Sequence, residues 1–145
     1  MWLEHLAVQH PTPAETYPFP FVSDELDFRP LLEAVICDRL RGRRVHEIAR
    51  TFHKTLAQAI REAATRLCVS SEVDTIVLSG GVFQNQLLMR DLKMLFRTTG
   101  LQLWTNHLVP PNDGGISLGQ AAIAAYANER EMNELPRLEQ VVTLM

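Results

Sequence analysis

The stretch TIVLSGGVFQN, residues 75–85, constrains this chain more than any other. A short β-branched, apolar run ends on Gly80-Gly81, and the chain then turns polar at Gln84 and Asn85. VDTIVLS, residues 73–79, is bounded by Ser70-Ser71 and the glycines, which suits a strand buried on both faces, as in a parallel sheet. A helix is predicted to follow, with Leu87, Leu88, Leu92 and Leu95 inward and its end near Gly100. LQLWT, residues 101–105, alternates as a second strand. A strand, a helix and a strand joined by short turns make a right-handed parallel crossover.

The flanking segments are helical in pattern. Residues 1–10 resemble a helix end, with Trp2, Leu3, Leu6 and Ala7 on one face, and residues 11–23 hold four prolines that favour an extended connection. Asp27 is the expected N-cap of a helix with Pro30 in its first turn, apolar at Leu31, Leu32, Val35, Ile36 and Leu40 and closed by Gly42. Ile48, Phe52, Leu56, Ala59, Ile60, Ala63 and Leu67 form one face of the strongest helix. GISLGQAAIAAYA is a last helix with small residues on one side. The domain reading is an N-terminal helix end and Pro-rich connection over 1–23, a lobe over 24–130 and a tail over 131–145. Two strands alone make a thin sheet, which needs further strands or a partner.

Bulk properties exclude several classes. The 145 residues are 46% hydrophobic and 21% charged, and a net charge of −3 gives no long-range attraction to nucleic acid or anionic membrane. No apolar run reaches the roughly 20 residues of a membrane span, and MWLEHLAVQH is not signal-like. Cys37 and Cys68 have no metal spacing and fit small buried hydrophobes in a reducing compartment, so a cytoplasmic location is expected.

A strand ending in glycines before a helix can meet a phosphate, because glycine lets backbone approach and the free N–H groups of a helix start favour an anion. Ser79, Gly80, Gly81 and Asn85 are therefore candidate nucleotide-binding residues, against the alternative of a tight turn without ligand. A second pair follows in VPPNDGGISLGQ, where Asn112 or Asp113 caps the next helix and Gly114-Gly115 opens it. Both loops follow the carboxyl ends of neighbouring predicted strands, where open α/β sheets bind ligands, and Asp113 offers an oxygen to a metal. The histidines form no clear ligand set: His5 and His10 do not share a helix face, His46 and His53 are seven apart, and His107 lies near Asp113. Arg39, Arg41, Arg43 and Arg44 surround a helix end, where cations complement the dipole. No catalytic nucleophile or base can be assigned.

LSGGVFQNQLL together with VPPNDGGISLGQAAIA resembles the C-terminal end of HypF, the carbamoyltransferase of nickel–iron hydrogenase maturation; IARTFHKTLAQAI and MWLEHLA fit the same region. The resemblance covers residues 1 to about 127. It implies an α/β fold of the actin, sugar-kinase and Hsp70 type, of which this chain is the second of two lobes around a nucleotide cleft. It further implies that carbamoyl phosphate and ATP give carbamoyl-adenylate in a separate domain, and that the lobe pair passes the carbamoyl group to the C-terminal cysteine of a HypE-like acceptor. Under it, Gly80 and Gly81 approach the nucleotide, Asn85 contacts the adenylate, and Asp113 joins two histidines on a divalent metal. The family's His-x-x-x-His pair, its first lobe and its adenylate-forming domains have no counterpart in this sequence, so the chain alone is expected to be inactive. Other readings are a non-catalytic module that docks through its sheet edge, and a lobe acting on a small-molecule hydroxyl. The surface left by the missing lobe permits self-association.

Overall fold

The computed structural model describes residues 2–11, 13, 15–110, 112–130 and 141–144. Its helices are α1 (Trp2–Val8), α2 (Arg29–Leu40), α3 (Val45–Ser70), α4 (Gln86–Phe96) and α5 (Ile116–Arg130). Its strands are β1 (Phe21–Val22), β2 (Glu25–Leu26), β3 (Thr75–Leu78), β4 (Gln102–Thr105) and β5 (Val141–Leu144). Among the described residues no helix is long and apolar enough to cross a membrane.

The crossover from β3 through α4 to β4 is parallel, with Ile76 opposite Leu103 and Val77 opposite Trp104. A third strand completes the sheet in the order β4-β3-β5, with Ile76 also opposite Val142. Residues 141–144 thus lie in the sheet rather than in a tail. Their β-branched VVTL was the available signal, but pairing at a distance is not encoded in four residues. Residues 131–140 of the expected tail lie outside the described residues.

Burial corrects the picture of a strand covered on both faces. Ile76 and Leu78 are buried, while Thr75 and Val77 on the opposite face are half-buried. The covered face packs on α3 and α4 through Ala57, Ala64, Cys68, Leu88, Leu92 and Phe96, with Phe83 of the connecting turn in the same cluster. Burial also pushes the Cys68 thiol upward in pKa, consistent with its role as a core residue; Cys37 is half-buried.

The long helix is confirmed, but its buried set differs from the apolar face in the sequence. Phe52, Leu56, Ile60 and Leu67 are half-buried, whereas Arg50, Thr51, His53 and Thr55 are buried beside the small alanines. α3 is central, with α1, α2 and α4 all packed against it. Small side chains let these neighbours approach, and polar ones are tolerated because each is bonded. Thr51 and Thr55 donate to the carbonyls of Glu47 and Thr51. Arg50 reaches Asp91 of α4 through two contacts, Nη1 to Oδ2 at 2.6 Å and Nη2 to Oδ1 at 3.1 Å.

The N-terminal segment belongs to the same core. Ala7 is buried against Ala49 and Leu87, while Trp2, placed on the same helix face by the sequence pattern, is exposed. The Pro-rich stretch lies extended along α3: Tyr17 donates its backbone N–H to Thr55 Oγ1, and its hydroxyl donates to Asp38 at 2.7 Å. It ends in the β1-β2 hairpin, whose two turn residues, Ser23 and Asp24, both have positive φ, so the expected boundary at 23/24 falls inside a two-residue turn.

α2 closes on Gly42 as expected, with Gly42 N–H donating to Arg39 O and Arg43 N–H to Asp38 O. Asp27 accepts from Arg29 N–H at 3.0 Å, one residue before the N-cap position, Phe28. Of the predicted apolar face only Leu31 is buried; Leu32, Ile36 and Leu40 are exposed in line with Phe28. Arg43 does more than complement a dipole, since it pairs with Asp38, Glu15 and Glu47.

Replacing Asp91 by Ala leaves a buried guanidinium without its carboxylate and is expected to cost about 3–5 kcal/mol. A urea melt at unchanged slope reads that loss, and a shift below about 1 kcal/mol would show that the pair does not hold α3 to α4. Burial and the bond to Asp38 also hold the Tyr17 hydroxyl well above the ordinary tyrosine range. Its folded-state pKa is raised, so its contribution is complete below about pH 10 and is lost as pH rises beyond that. Stability measured against alkaline pH should fall more steeply in the wild type than in Tyr17→Phe.

Candidate functional site

The two glycine loops follow the carboxyl ends of β3 and β4, which are neighbours in the sheet. That placement matches the sequence expectation. The local structure does not match it fully: β3 leads into a 3₁₀ turn, Gly81–Gln84, and α4 starts only afterwards, with Asn85 as N-cap. Gly80 has φ 105° and ψ 160°, a conformation essentially restricted to glycine, and this redirects the chain out of the sheet. Gly81 is different. Its φ is not positive, and an added Cβ would meet nothing within 4 Å. The turn does not require glycine there, and the space beside it is open.

Asn85 is not a free side chain one turn into a helix. Its Oδ1 accepts from Leu88 N–H at 2.9 Å, and its Nδ2 lies 3.0 Å from His53 Nε2. The His53 ring is in turn fixed by Nδ1, 2.8 Å from the Ala49 carbonyl. A carbonyl only accepts, so Nδ1 carries the hydrogen and Nε2 accepts from the Asn85 amide. These two contacts fix the orientation of the His53 ring. One amide hydrogen and one lone pair of Asn85 stay available. His53 entered the sequence reading only as a distant partner of His46, because a single helical histidine carries no signal of what packs against it. Glu4 of α1 completes this end of α4 by accepting from Leu87 N–H.

After β4, Asn112 rather than Asp113 provides the cap, its Oδ1 accepting from Gly114 N–H at 3.1 Å. Asp113–Gly115 form a 3₁₀ turn ahead of α5 instead of opening it. A Cβ on Gly115 would stand 2.8 Å from Pro110 O and 2.9 Å from Val109 Cγ1, so this glycine is required by the loop's own packing. Asp113 is exposed, and among the described residues it joins no group of three metal-ligating side chains. A single carboxylate does not make a metal site.

Between the two strand ends lies a cavity of about 190 Å³, lined by Leu78, Phe83, Met89, Lys93, Thr105, Asn106 and His107. It contains the one histidine expected near this edge, with His107 Nε2 3.4 Å from Thr105 Oγ1. Lys93, from the last turn of α4, supplies a cation that the sequence pattern had not singled out.

Residues 1–120 match the family described as "Carbamoyltransferase, Kae1-like Domain, second subdomain". This chain belongs to the HypF carbamoyltransferase family. It is 34% identical over 128 residues to the carbamoyltransferase HypF of Rhodobacter capsulatus, covering 86% of this chain and 16% of that protein. HypF of Rhizobium leguminosarum bv. viciae is 36% identical over 116 residues, covering 79% of this chain and 14% of the relative. A crystal structure of full-length HypF in the phosphate- and nucleotide-bound form superposes with a TM-score of 0.77 at 32% identity, covering 88% of this chain and 17% of that one. The likeness extends to the HypF fold, so the expected actin-like α/β lobe with a short parallel sheet is the architecture found. The chain spans about a sixth of the HypF proteins it matches.

The glycines separate by role, and substitution should show it. Gly80→Ala forces a side chain into a glycine-only conformation and is expected to cost about 1–3 kcal/mol. Gly115→Ala is expected to destabilise through the Pro110 contact, whereas Gly81→Ala should leave the melting temperature unchanged. Thermal melts of the three variants test this; a large loss for Gly81→Ala would mean that the turn itself needs glycine there.

Proposed function

We propose that this HypF subdomain forms one wall of a nucleotide cleft in a carbamoyltransferase. The observation that carries the proposal is the open, side-chain-free backbone at Gly81, at the carboxyl edge of a parallel sheet, where the chain's own packing does not call for glycine. Gly80 and Gly81 would bring backbone N–H groups to a phosphate of ATP or carbamoyl-adenylate, with Ser79 beside them. Lys93 and His107 would border the same edge. Asn85, oriented by His53, would offer its remaining amide hydrogen to the adenylate. Gly114 and Gly115 would shape the opposite loop.

In the reaction so assigned, a cysteine thiolate of a HypE-like acceptor attacks the carbamoyl carbon. The C–S bond forms, the bond from that carbon to the adenylate phosphate oxygen breaks, and AMP leaves. Donors held near the phosphate stabilise the charge that the leaving group gathers. No step is assigned to a metal in this chain, because Asp113 stands alone among the described ligands; further donors would come from the first lobe. The exposed apolar residues Phe28 at the N-cap of α2, Leu32 and Ile36 on α2, and Ile116, Leu118 and Ile123 on α5, support contact with the remaining HypF domains.

The test is a thermal melt of the chain with millimolar ATP, beside Gly81→Val. A ligand that binds the folded state must raise its melting temperature. We expect a rise in the wild type that Gly81→Val loses without a change in its ligand-free melt, and no carbamoyl transfer by the chain alone. An equal rise in both proteins would place the nucleotide elsewhere, and no rise in either would leave the glycine edge without a ligand of its own in this chain.

A further inference from the structure

A second cluster lies away from the glycine loops, where the end of α1 meets the start of α3. Each of His10, His46 and Glu47 offers a ligand atom, all of these atoms lie within 4.8 Å of one another, and all three residues are half-buried. We propose that they form a binding site for a first-row divalent cation of the zinc type.

The geometry of the donors favours this. His10 Nδ1 lies 2.8 Å from the Pro11 carbonyl, so that nitrogen carries the hydrogen and the Nε2 lone pair is free. His10 Nε2 faces Glu47 Oε1 at 3.9 Å, too far for a hydrogen bond. The His46 ring stacks on that of His10, with centroids 5.2 Å apart and planes at 28°. Two imidazoles and a carboxylate are a zinc donor set that leaves a fourth position for water. With Zn–N near 2.0–2.1 Å, two tetrahedral ligands stand about 3.4 Å apart, so the donors must close by at most about 1.4 Å. Half-buried side chains, two in the first turn of α3 and one just beyond the end of α1, reach that by small rotations.

Two effects oppose the ion and limit its affinity. Arg43 Nε is 3.5 Å from the second oxygen of Glu47, and the first turn of α3 presents the positive end of the helix dipole. Binding is therefore expected in the micromolar range. Its consequence is mechanical. His10 follows directly on α1, which packs on α3 and whose Glu4 caps Leu87 beside the Gly80-Gly81 turn. An ion shared by His10, His46 and Glu47 would fasten α1 in that position. The proposal is independent of the nucleotide reading.

The experiment is calorimetric titration of the tag-free 145-residue chain with zinc chloride, paired with thermal melts. One ion per chain and a raised melting temperature are expected, with His10→Ala and His46→Ala each weakening binding by about tenfold or more. Glu47→Gln should weaken it less, and His5→Ala, on α1 but outside the cluster, should not change it. Should a variant fail to fold, cobalt added to the wild type reports the same site through the visible bands of four-coordinate cobalt, and their absence counts against the proposal. No zinc bound by the folded wild type overturns it. So does binding that persists undiminished in a folded His10→Ala, His46→Ala double variant, since the ion then sits elsewhere on the chain.

Discussion

The buried pair between Arg50 and Asp91 is the constraint on which the rest of the structure depends. It crosses from the second turn of α3 to the middle of α4, the two helices that cover one face of the sheet. A guanidinium and a carboxylate this deep are costly to desolvate, and only two parallel contacts in good geometry offset that cost. They therefore fix where α4 lies along α3 more narrowly than apolar packing would. Leu88 and Leu92 of α4 pack against Ala57 and Ala64 of α3, small residues that permit many nearly equivalent registers.

One turn further along α3, His53 meets Asn85 at the cap of α4. Once α4 is held in register, a continuous hydrogen-bonded path runs from the Ala49 carbonyl through His53 and Asn85 to Leu88 N–H. It immobilises the end of the Gly80–Asn85 turn. The glycine edge is thus held by buried polar contacts on one side and left without side chains on the other. That combination suits a surface that must receive a ligand without moving.

Much of this was legible in the sequence. The β-branched run before Gly80-Gly81, the leucine spacing of α4 and the alternation in LQLWT were sufficient for the parallel crossover, and the two glycine motifs located the edge. What was less legible follows one physical rule. Patterns of apolar residues report helices that bury one stripe, and α3 is packed on several sides through alanine, threonine and charged residues, so its apolar face indicated only part of its contacts. The same limit hid α2, where Leu32, Ile36 and Leu40 look core-facing by spacing yet are exposed, and only Leu31 is buried. Asn85 was identified as a ligand contact from its place in the motif, and the structure first gives it two partners within the protein.

By itself the sequence determined the order of the main helices and of the two crossover strands, the glycine turn that ends the first of them, and membership in the HypF family through motifs of adjacent residues. All of these depend on short-range conformational preference or on the chemistry of neighbouring positions. Only the tertiary structure decided which residues meet across the chain: Arg50 with Asp91, His53 with Asn85, β5 with β3, and His10 with His46 and Glu47. These contacts join residues from 32 to 66 positions apart in the numbering, in one case adjacent only through α1 packing on α3. No local pattern encodes them, because the free energy that selects each is gained when two separate elements have already packed.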